Sequence, residues 1–367
     1  MTILNLHWGF ATGGIGKCFL TYDRLGEVEP GLKVISVCVV ATCHNWDLKP
    51  LYDQGITVIK IRSNWDFSWM KKLKAIVDDN HIDYYFSHSH NGPIMLKLFN
   101  LRYGIKKPFI CTCHGHNPNP TIMSHIYGLM ILGIWKSKTT KKVICVEKYT
   151  PKVLIAKGVP HDKIVTVYNG IEPKIETKRI DFSPYNTDGL PVIITASRLI
   201  KIKGVDYLLR ALKTVKEKGI KFCYFCIGDG EEETPLKILS EELGLSDCVH
   251  FTGYQNNIPD WLASCDIFAL PSLEEFHSIA ILEAMRAAKA IVATNIGGNP
   301  ESLRDEQDAL LVPSKSHDAL SNALIRLLGS PELRKQLGQS AYNRFMENFT
   351  IDAMMINLAK EIKNVDN

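Results

Sequence analysis

Short apolar runs rich in β-branched and aromatic residues alternate with helical patterns along the chain, and nothing else in the sequence restricts the fold as much. A strand separated from the next by a helix does not close as a hairpin. It returns parallel to the first, with the helix covering one face of the sheet. In the first half, strands are predicted at 3–6, 32–40, 56–61, 82–87, 108–113, 142–146 and 164–168, with helical stretches such as 67–78 and 93–102 between them. The second half repeats the rhythm with strands at 192–196, 221–227, 249–252, 267–270, 290–294 and 309–312, and helices at 205–218, 235–243, 279–288 and 318–328. Beyond Ser330-Pro331 the pattern is helical only, over 333–349 and 351–362.

A chain of 367 residues exceeds what one hydrophobic core usually organises, so two parallel-sheet α/β domains of Rossmann-like type are expected. The rhythm breaks over 172–190, a polar stretch carrying Pro173, Pro184 and Gly189, which reads as a linker. The first domain is placed at 1–178 and the second at 187–349, with the C-terminal helix of about 350–367 expected to return to the first. Residues 1–180 hold 24 Lys+Arg against 13 Asp+Glu, and residues 181–367 hold 19 against 26. A basic first half suits an anionic partner, such as a membrane surface or a phosphorylated acceptor. Nucleic acid is set aside, because the lysines are scattered and no recognition motif accompanies them.

The segment 122–135 is strongly apolar and is followed by Lys136, Lys138, Lys141 and Lys142. Its 14 residues fall short of the roughly 20 that span a bilayer. A buried crossover helix with a solvated basic end is the favoured reading, and a helix lying against anionic headgroups is the other. The opening residues show no basic segment before an apolar run and no cleavage site, so a cytoplasmic chain is expected, at the inner face of the membrane if the second reading holds. The ten cysteines then read as reduced thiols, and the pair Cys223 and Cys226 as part of a buried strand rather than a redox or zinc site.

Open parallel sheets bind ligands at the carboxyl ends of their strands, which singles out three clusters. Thr12-Gly13-Gly14-Ile15-Gly16-Lys17 follows the opening strand and precedes a helix, so its backbone can approach a phosphate or sugar. It is not the G-x-G-x-x-G dinucleotide pattern, which argues against hydride transfer. Arg198 follows the strand at 192–196, and Lys203-Gly204 lies five residues on; a fork and a point charge suit a diphosphate. The third cluster runs from Pro271 to Met285. It sets Glu275 in a loop after a buried strand, Ser278 at the start of an apolar helix, and Glu283 within that helix. One carboxylate can then face a sugar, the free N–H groups of the helix start can face phosphate, and the second carboxylate can accept from ribose hydroxyls.

This last stretch resembles the Glu-x7-Glu signature of the family-4 retaining glycosyltransferases. Supporting matches run along most of the chain: Gly13-Gly14, Val167 to Ile171, Ser197-Arg198-Leu199, Lys203-Gly204, Gly228-Asp229-Gly230, Val249 to Gly253, Gly297-Gly298 with Pro300-Glu301, and Leu310-Leu311-Val312. The resemblance implies the GT-B fold, two Rossmann-like domains facing a central cleft, the first binding the acceptor and the second the nucleotide sugar. It also implies a hexosyltransferase that moves a sugar from a nucleoside diphosphate, UDP favoured over GDP, to a saccharide or lipid-linked saccharide in polysaccharide biosynthesis. By the same resemblance, Arg198 and Lys203 hold the diphosphate, Glu275 contacts the donor sugar, Glu283 binds ribose, and backbone at Ser278, Ile279 and the loop from Gly14 to Gly16 closes on the phosphates. His114 faces the transferred sugar, and Gly230 and Tyr254 lie near the base. Retention without a metal or other cofactor is implied, the leaving phosphate taking the acceptor's proton.

Two departures stand out. The family often has Glu-Gly-Phe-Gly where this chain has Glu275-Phe276-His277-Ser278, and a glycine where it has Lys289. Alternative functions are an epimerase or hydrolase of nucleotide sugars on the same architecture, or a metal-dependent hydrolase using the pairs His88/His90 and His114/His116. No Asp-x-Asp occurs to support the metal reading.

Overall fold

The computed structural model describes residues 1–9, 14–42, 47–63, 66–88, 91–115, 122–185 and 189–365. The chain forms two compact units, one of Met1–Gly170 with Ile351–Asn367, the other of Ile171–Thr350.

The first unit holds a seven-stranded parallel sheet of β1 (Thr2–Trp8), β2 (Lys33–Ala41), β3 (Thr57–Ile61), β4 (Tyr84–Ser87), β5 (Phe109–Cys113), β6 (Thr140–Cys145) and β7 (Ile164–Thr166), in the order β3-β2-β1-β4-β5-β6-β7. Side chains alternate along β1. Leu4, Leu6 and Trp8 join Val37, Val39 and Phe99 in the hydrophobic core, while Asn5 and His7 fall on the opposite face. Strand order reverses between β1 and β4, which pair with Leu6 opposite Ser87.

The second unit holds a six-stranded parallel sheet of β8 (Val192–Ala196), β9 (Cys223–Ile227), β10 (Val249–Gly253), β11 (Ile267–Leu270), β12 (Ala290–Thr294) and β13 (Leu310–Val312), ordered β10-β9-β8-β11-β12-β13. Its reversal lies between β8 and β11, whose residues are all or nearly all buried, as near-continuous apolar runs require when helices cover both faces. Cys223 and Cys226 sit inside β9, buried, with thiol pKa values pushed up to about 12 by that burial.

Three expectations are corrected or sharpened. The polar stretch 172–190 is no free tether: Lys178 N–H donates to Asp260 Oδ1 (2.8 Å), Ile180 N–H donates to Ser264 Oγ (2.8 Å), and Phe182 stacks on Phe225. Backbone donors without a ladder find the helix Ile258–Ser264 instead, so the stretch belongs to the second unit. The helix Ile122–Lys136 crosses between β5 and β6, and of its residues from 125 onward the buried ones lie in the last turns, Ile131, Ile134 and Trp135. Residues 125–130 are exposed, Leu129 by 59%, so the wholly buried reading does not hold. The helix Ile351–Lys363 lies in the first unit, where it buries Met354, Met355, Leu358 and Ile362 and pairs Asp352 with Arg24 at 2.7 Å. Among the described residues no helix is long and apolar enough to cross a membrane, and no disulfide joins two cysteines.

Candidate active site

The carboxyl edge of the second sheet is a set of loops locked together by backbone contacts. Leu199 N–H donates to Asp229 O (2.6 Å) and Glu232 N–H to Leu199 O (2.9 Å), joining the turns after β8 and β9. A Cβ on Gly230 would come within 2.3 Å of Leu199 O, so this glycine serves loop packing. Leu273 N–H donates to Ile202 O (2.7 Å), joining the turns after β8 and β11. Gly204 there has φ +61 and presses on Pro271 O, where a side chain would be both strained and in collision. Gly297, after β12, has φ +48 and abuts Glu275 O so closely that a Cβ would lie 1.7 Å from it.

This platform brings predicted residues together. Lys203 Nζ is 2.5 Å from Glu275 Oε1, with the two side chains 17% and 9% exposed. Ser272 Oγ donates to the same Oε1 at 2.8 Å, and Thr294 Oγ1 donates to Ser272 O at 2.7 Å. Glu275 Oε2 accepts nothing from the described residues. Arg198, directly after β8, is exposed, and its guanidinium makes no ion pair or hydrogen bond among the described residues. Ser278 has extended backbone ahead of the helix Ile279–Arg286, and its side chain does not cap that helix. The first N–H groups therefore remain available to an anion. Glu283, 8% exposed, lies one turn further along the same helix. Tyr254 stands apart, 60% exposed after the edge strand β10. Sequence reasoning missed Ser272, three residues before Glu275 in the same loop, and the contact of Gly297 from the turn after β12.

In the first unit, Gly14 opens the short helix Gly14–Phe19, within which Gly16 is buried. Thr12, Gly13, His90 and His116 lie outside the described residues. His114 directly follows β5, half-buried, its ring centroid 6.3 Å from that of His88. His88 is buried: Nε2–H donates to Asn5 Oδ1 (2.7 Å) and Nδ1 accepts from Thr112 Oγ1 (2.8 Å). Neither nitrogen is left for a metal, and burial, aided by His114 and His7, holds its pKa well below the usual imidazole value. No cluster of three metal-ligating side chains occurs among the described residues.

Two family models match the chain, and they meet within a few residues of the boundary between the two units. Residues 35–175 match the profile of "Glycosyltransferase Family 4" and residues 177–344 that of "Glycosyl transferases group 1". An uncharacterized glycosyltransferase of Methanocaldococcus jannaschii is 28% identical over all of this chain and 97% of its own length. The N,N'-diacetylbacillosaminyl-diphospho-undecaprenol alpha-1,3-N-acetylgalactosaminyltransferase of Campylobacter jejuni is 30% identical over 58% of this chain, a match spanning about half, 55%, of that relative. Among solved structures, Anabaena HepE in complex with UDP superposes with a TM-score of 0.83 at 18% identity, covering 99% of this chain and 100% of that one.

Proposed function

Because the chain belongs to the family-4 glycosyltransferases and has their GT-B fold, we propose that it moves a sugar from a UDP-sugar to a saccharide or lipid-linked saccharide, with retention at the anomeric carbon and without a metal ion. One observation carries this reading. An exposed Arg198 that pairs with none of the described residues, the Lys203–Glu275 pair and the open helix start at Ser278 meet the same carboxyl edge, beside the point where the second sheet reverses its strand order.

Negative charge grows on the leaving diphosphate as the glycosidic bond breaks, so groups already fixed toward that position supply rate. Arg198 offers a fork, Lys203 a point charge, and Ile279 and Ala280 their N–H groups. Glu275 accepts from hydroxyls of the donor sugar through Oε2, and Glu283 from ribose. His114 is assigned to the transferred sugar, and Gly14 and Gly16 to the phosphates. The leaving oxygen takes the acceptor's proton, so no enzymic nucleophile is required. UDP as the carrier draws support from Anabaena HepE, crystallised with UDP and with UDP-glucose. A lipid-linked acceptor draws support from the name of the Campylobacter relative. The exposed turn 125–130 and the exposed Lys136 and Lys138 support a cytoplasmic enzyme working against an anionic membrane surface.

Arg198→Ala and Lys203→Ala are each expected to lower turnover by roughly two to three powers of ten, the scale for losing a preorganised charge-stabilising group. Full transfer in both variants would sink the assignment. Activity is expected to survive excess chelator, and its loss would refute metal independence. Sedimentation with liposomes that is indifferent to anionic lipid would remove the membrane part alone.

A further inference from the structure

Three histidines stand in a row across the carboxyl ends of neighbouring strands in the first unit: His7 on β1, His88 after β4 and His114 after β5. The rings of His7 and His88 are 6.4 Å apart, those of His88 and His114 6.3 Å. The row begins where β1 and β4 reverse the strand order, the place where an open parallel sheet accommodates a ligand.

His88 is committed to the fold. Its partner Asn5 donates through Nδ2 to Ser36 Oγ at 2.7 Å, and Ser36 donates to Asp23, so the chain of bonds from Thr112 ends on a carboxylate with each of these links made. His7 is not committed. Its Nδ1 meets the carbonyl of Gly9, which can only accept, so Nδ1 carries the proton and Nε2 is a bare lone pair. The residue is 5% exposed, and Nε2 meets no donor among the described residues. Burial pushes its pKa down to about 4, so the ring is neutral at physiological pH. Leaving a buried acceptor unmet is costly, because the desolvation of its lone pair is not repaid. Phe19, at 4.8 Å, and His88 flank the ring and steady its direction.

We infer that Nε2 of His7 accepts a hydrogen bond from a hydroxyl group of the acceptor saccharide, so that His7 belongs to an acceptor subsite at the strand-order reversal of the first unit. The lone pair needs a donor, which excludes phosphate dianions and carboxylates. A single imidazole nitrogen does not make a metal site, and no cluster of three metal-ligating side chains stands beside it among the described residues. A hydroxyl is the donor that a sugar presents. That the hydroxyl belongs to an acceptor rests on the glycosyltransferase reading.

The test uses the full chain with 15N-labelled histidine, saturated with UDP, and follows the ring nitrogens by NMR. Methyl glycosides of glucose, galactose and N-acetylglucosamine are the probes. Free protein is expected to show His7 with Nδ1 protonated and Nε2 bare, the reverse of His88. At least one glycoside is expected to move the His7 Nε2 resonance toward the hydrogen-bonded position. His7→Phe, which keeps the ring packing, should weaken that glycoside by roughly ten-fold, the scale of one hydrogen bond to a buried partner. His7→Gln, whose amide oxygen can stand where Nε2 stands, should restore most of it. A His7 Nε2 signal that no glycoside moves, or unchanged glycoside affinity in His7→Phe, overturns the inference. UDP binding is read in the same samples by thermal shift. Binding of UDP without a glycoside response sinks the His7 subsite alone, whereas absence of UDP binding sinks the function proposed above.

Discussion

Glu275 is held by its own loop and by the turns after β8 and β12. Lys203 and Ser272 both hold Oε1, and Gly297 lies against its carbonyl, so the carboxylate is aimed before any substrate arrives. A bond from Ser272 to a charged acceptor is worth about 1.5–3 kcal/mol. On the proposed function, Ser272→Ala is therefore expected to lower kcat by roughly ten-fold or more while UDP affinity stays as it is, because the hydroxyl steadies the carboxylate assigned to the donor sugar and does not touch Arg198. Steady-state transfer against UDP competition measures both. An equal loss in the two would place Glu275 in nucleotide binding instead. Arg198, Lys203, Glu275 and Ser278 could be singled out in the sequence because each lies between the end of a strand and the start of the next helix, where local pattern marks the place. Ser272 looked like ordinary loop, and Gly297 stands 22 residues from Glu275, so only the pairing of β11 with β12 makes them neighbours. His7 was hidden for another reason: on a strand read as buried, an odd polar position carries no signal until the face it occupies is known.

Among the elements, the thirteen strands and the long helices were legible because their apolar periods run long enough to be read. Short helices such as Ile258–Ser264 were not, and one of them explains Lys289, which stands where the family resemblance implies a glycine. Its Nζ donates to Ala263 O (3.0 Å) and Cys265 O (2.8 Å), meeting carbonyls at that helix's C-terminal end that lack intrahelical partners. A second tertiary clasp carries a pH dependence. Asp308 is buried in the turn before β13, and its carboxylate accepts from Arg304 Nε (2.7 Å), Arg304 Nη2 (2.8 Å) and Ser340 Oγ (2.7 Å). Burial alone would raise its pKa, but the bonds from Arg304 and Ser340 outweigh it, so the carboxyl titrates below its ordinary value. A depressed carboxyl contributes stability that is fully present above the unfolded value, near 3.8, and is lost as pH falls through the lower, folded one. Asp308→Asn is expected to cost the second unit about 1–2 kcal/mol at neutral pH, the scale of hydrogen bonds to a charged group whose partner, Arg304, is half exposed to solvent. That deficit should shrink as both proteins are taken below about pH 4. Urea unfolding of the two proteins across this range measures it, and a deficit independent of pH would show that the ion pair is not its source.

For the whole molecule, chain order and structural unit part company at one place. The sequence shows a helix in excess after the last strand, and amphipathic pattern says that it must cover something. Its covering of the first unit rather than the second is settled only by contacts far away in sequence: Arg24 with Asp352, Glu29 with Lys363, and Gly170 N–H on Met354 Sδ. The consequence is that the first unit depends on the last 17 residues, Ile351–Asn367. The helix buries Ile351, Met354, Met355, Leu358 and Ile362 to 4% exposure or less. At roughly 1.5–3 kcal/mol for each large apolar side chain, an upper scale, their removal costs as much as the whole of a typical domain's stability, about 5–15 kcal/mol. A chain ending at Thr350 should therefore keep the second unit, whose core is its own, and fail to fold the first. Calorimetry of the full chain with and without UDP identifies the second unit's transition as the one the nucleotide raises. The shortened chain is expected to retain that transition, lose the other, and give no transfer. Two surviving transitions in the shortened chain would mean that the first sheet holds together without its returning helix.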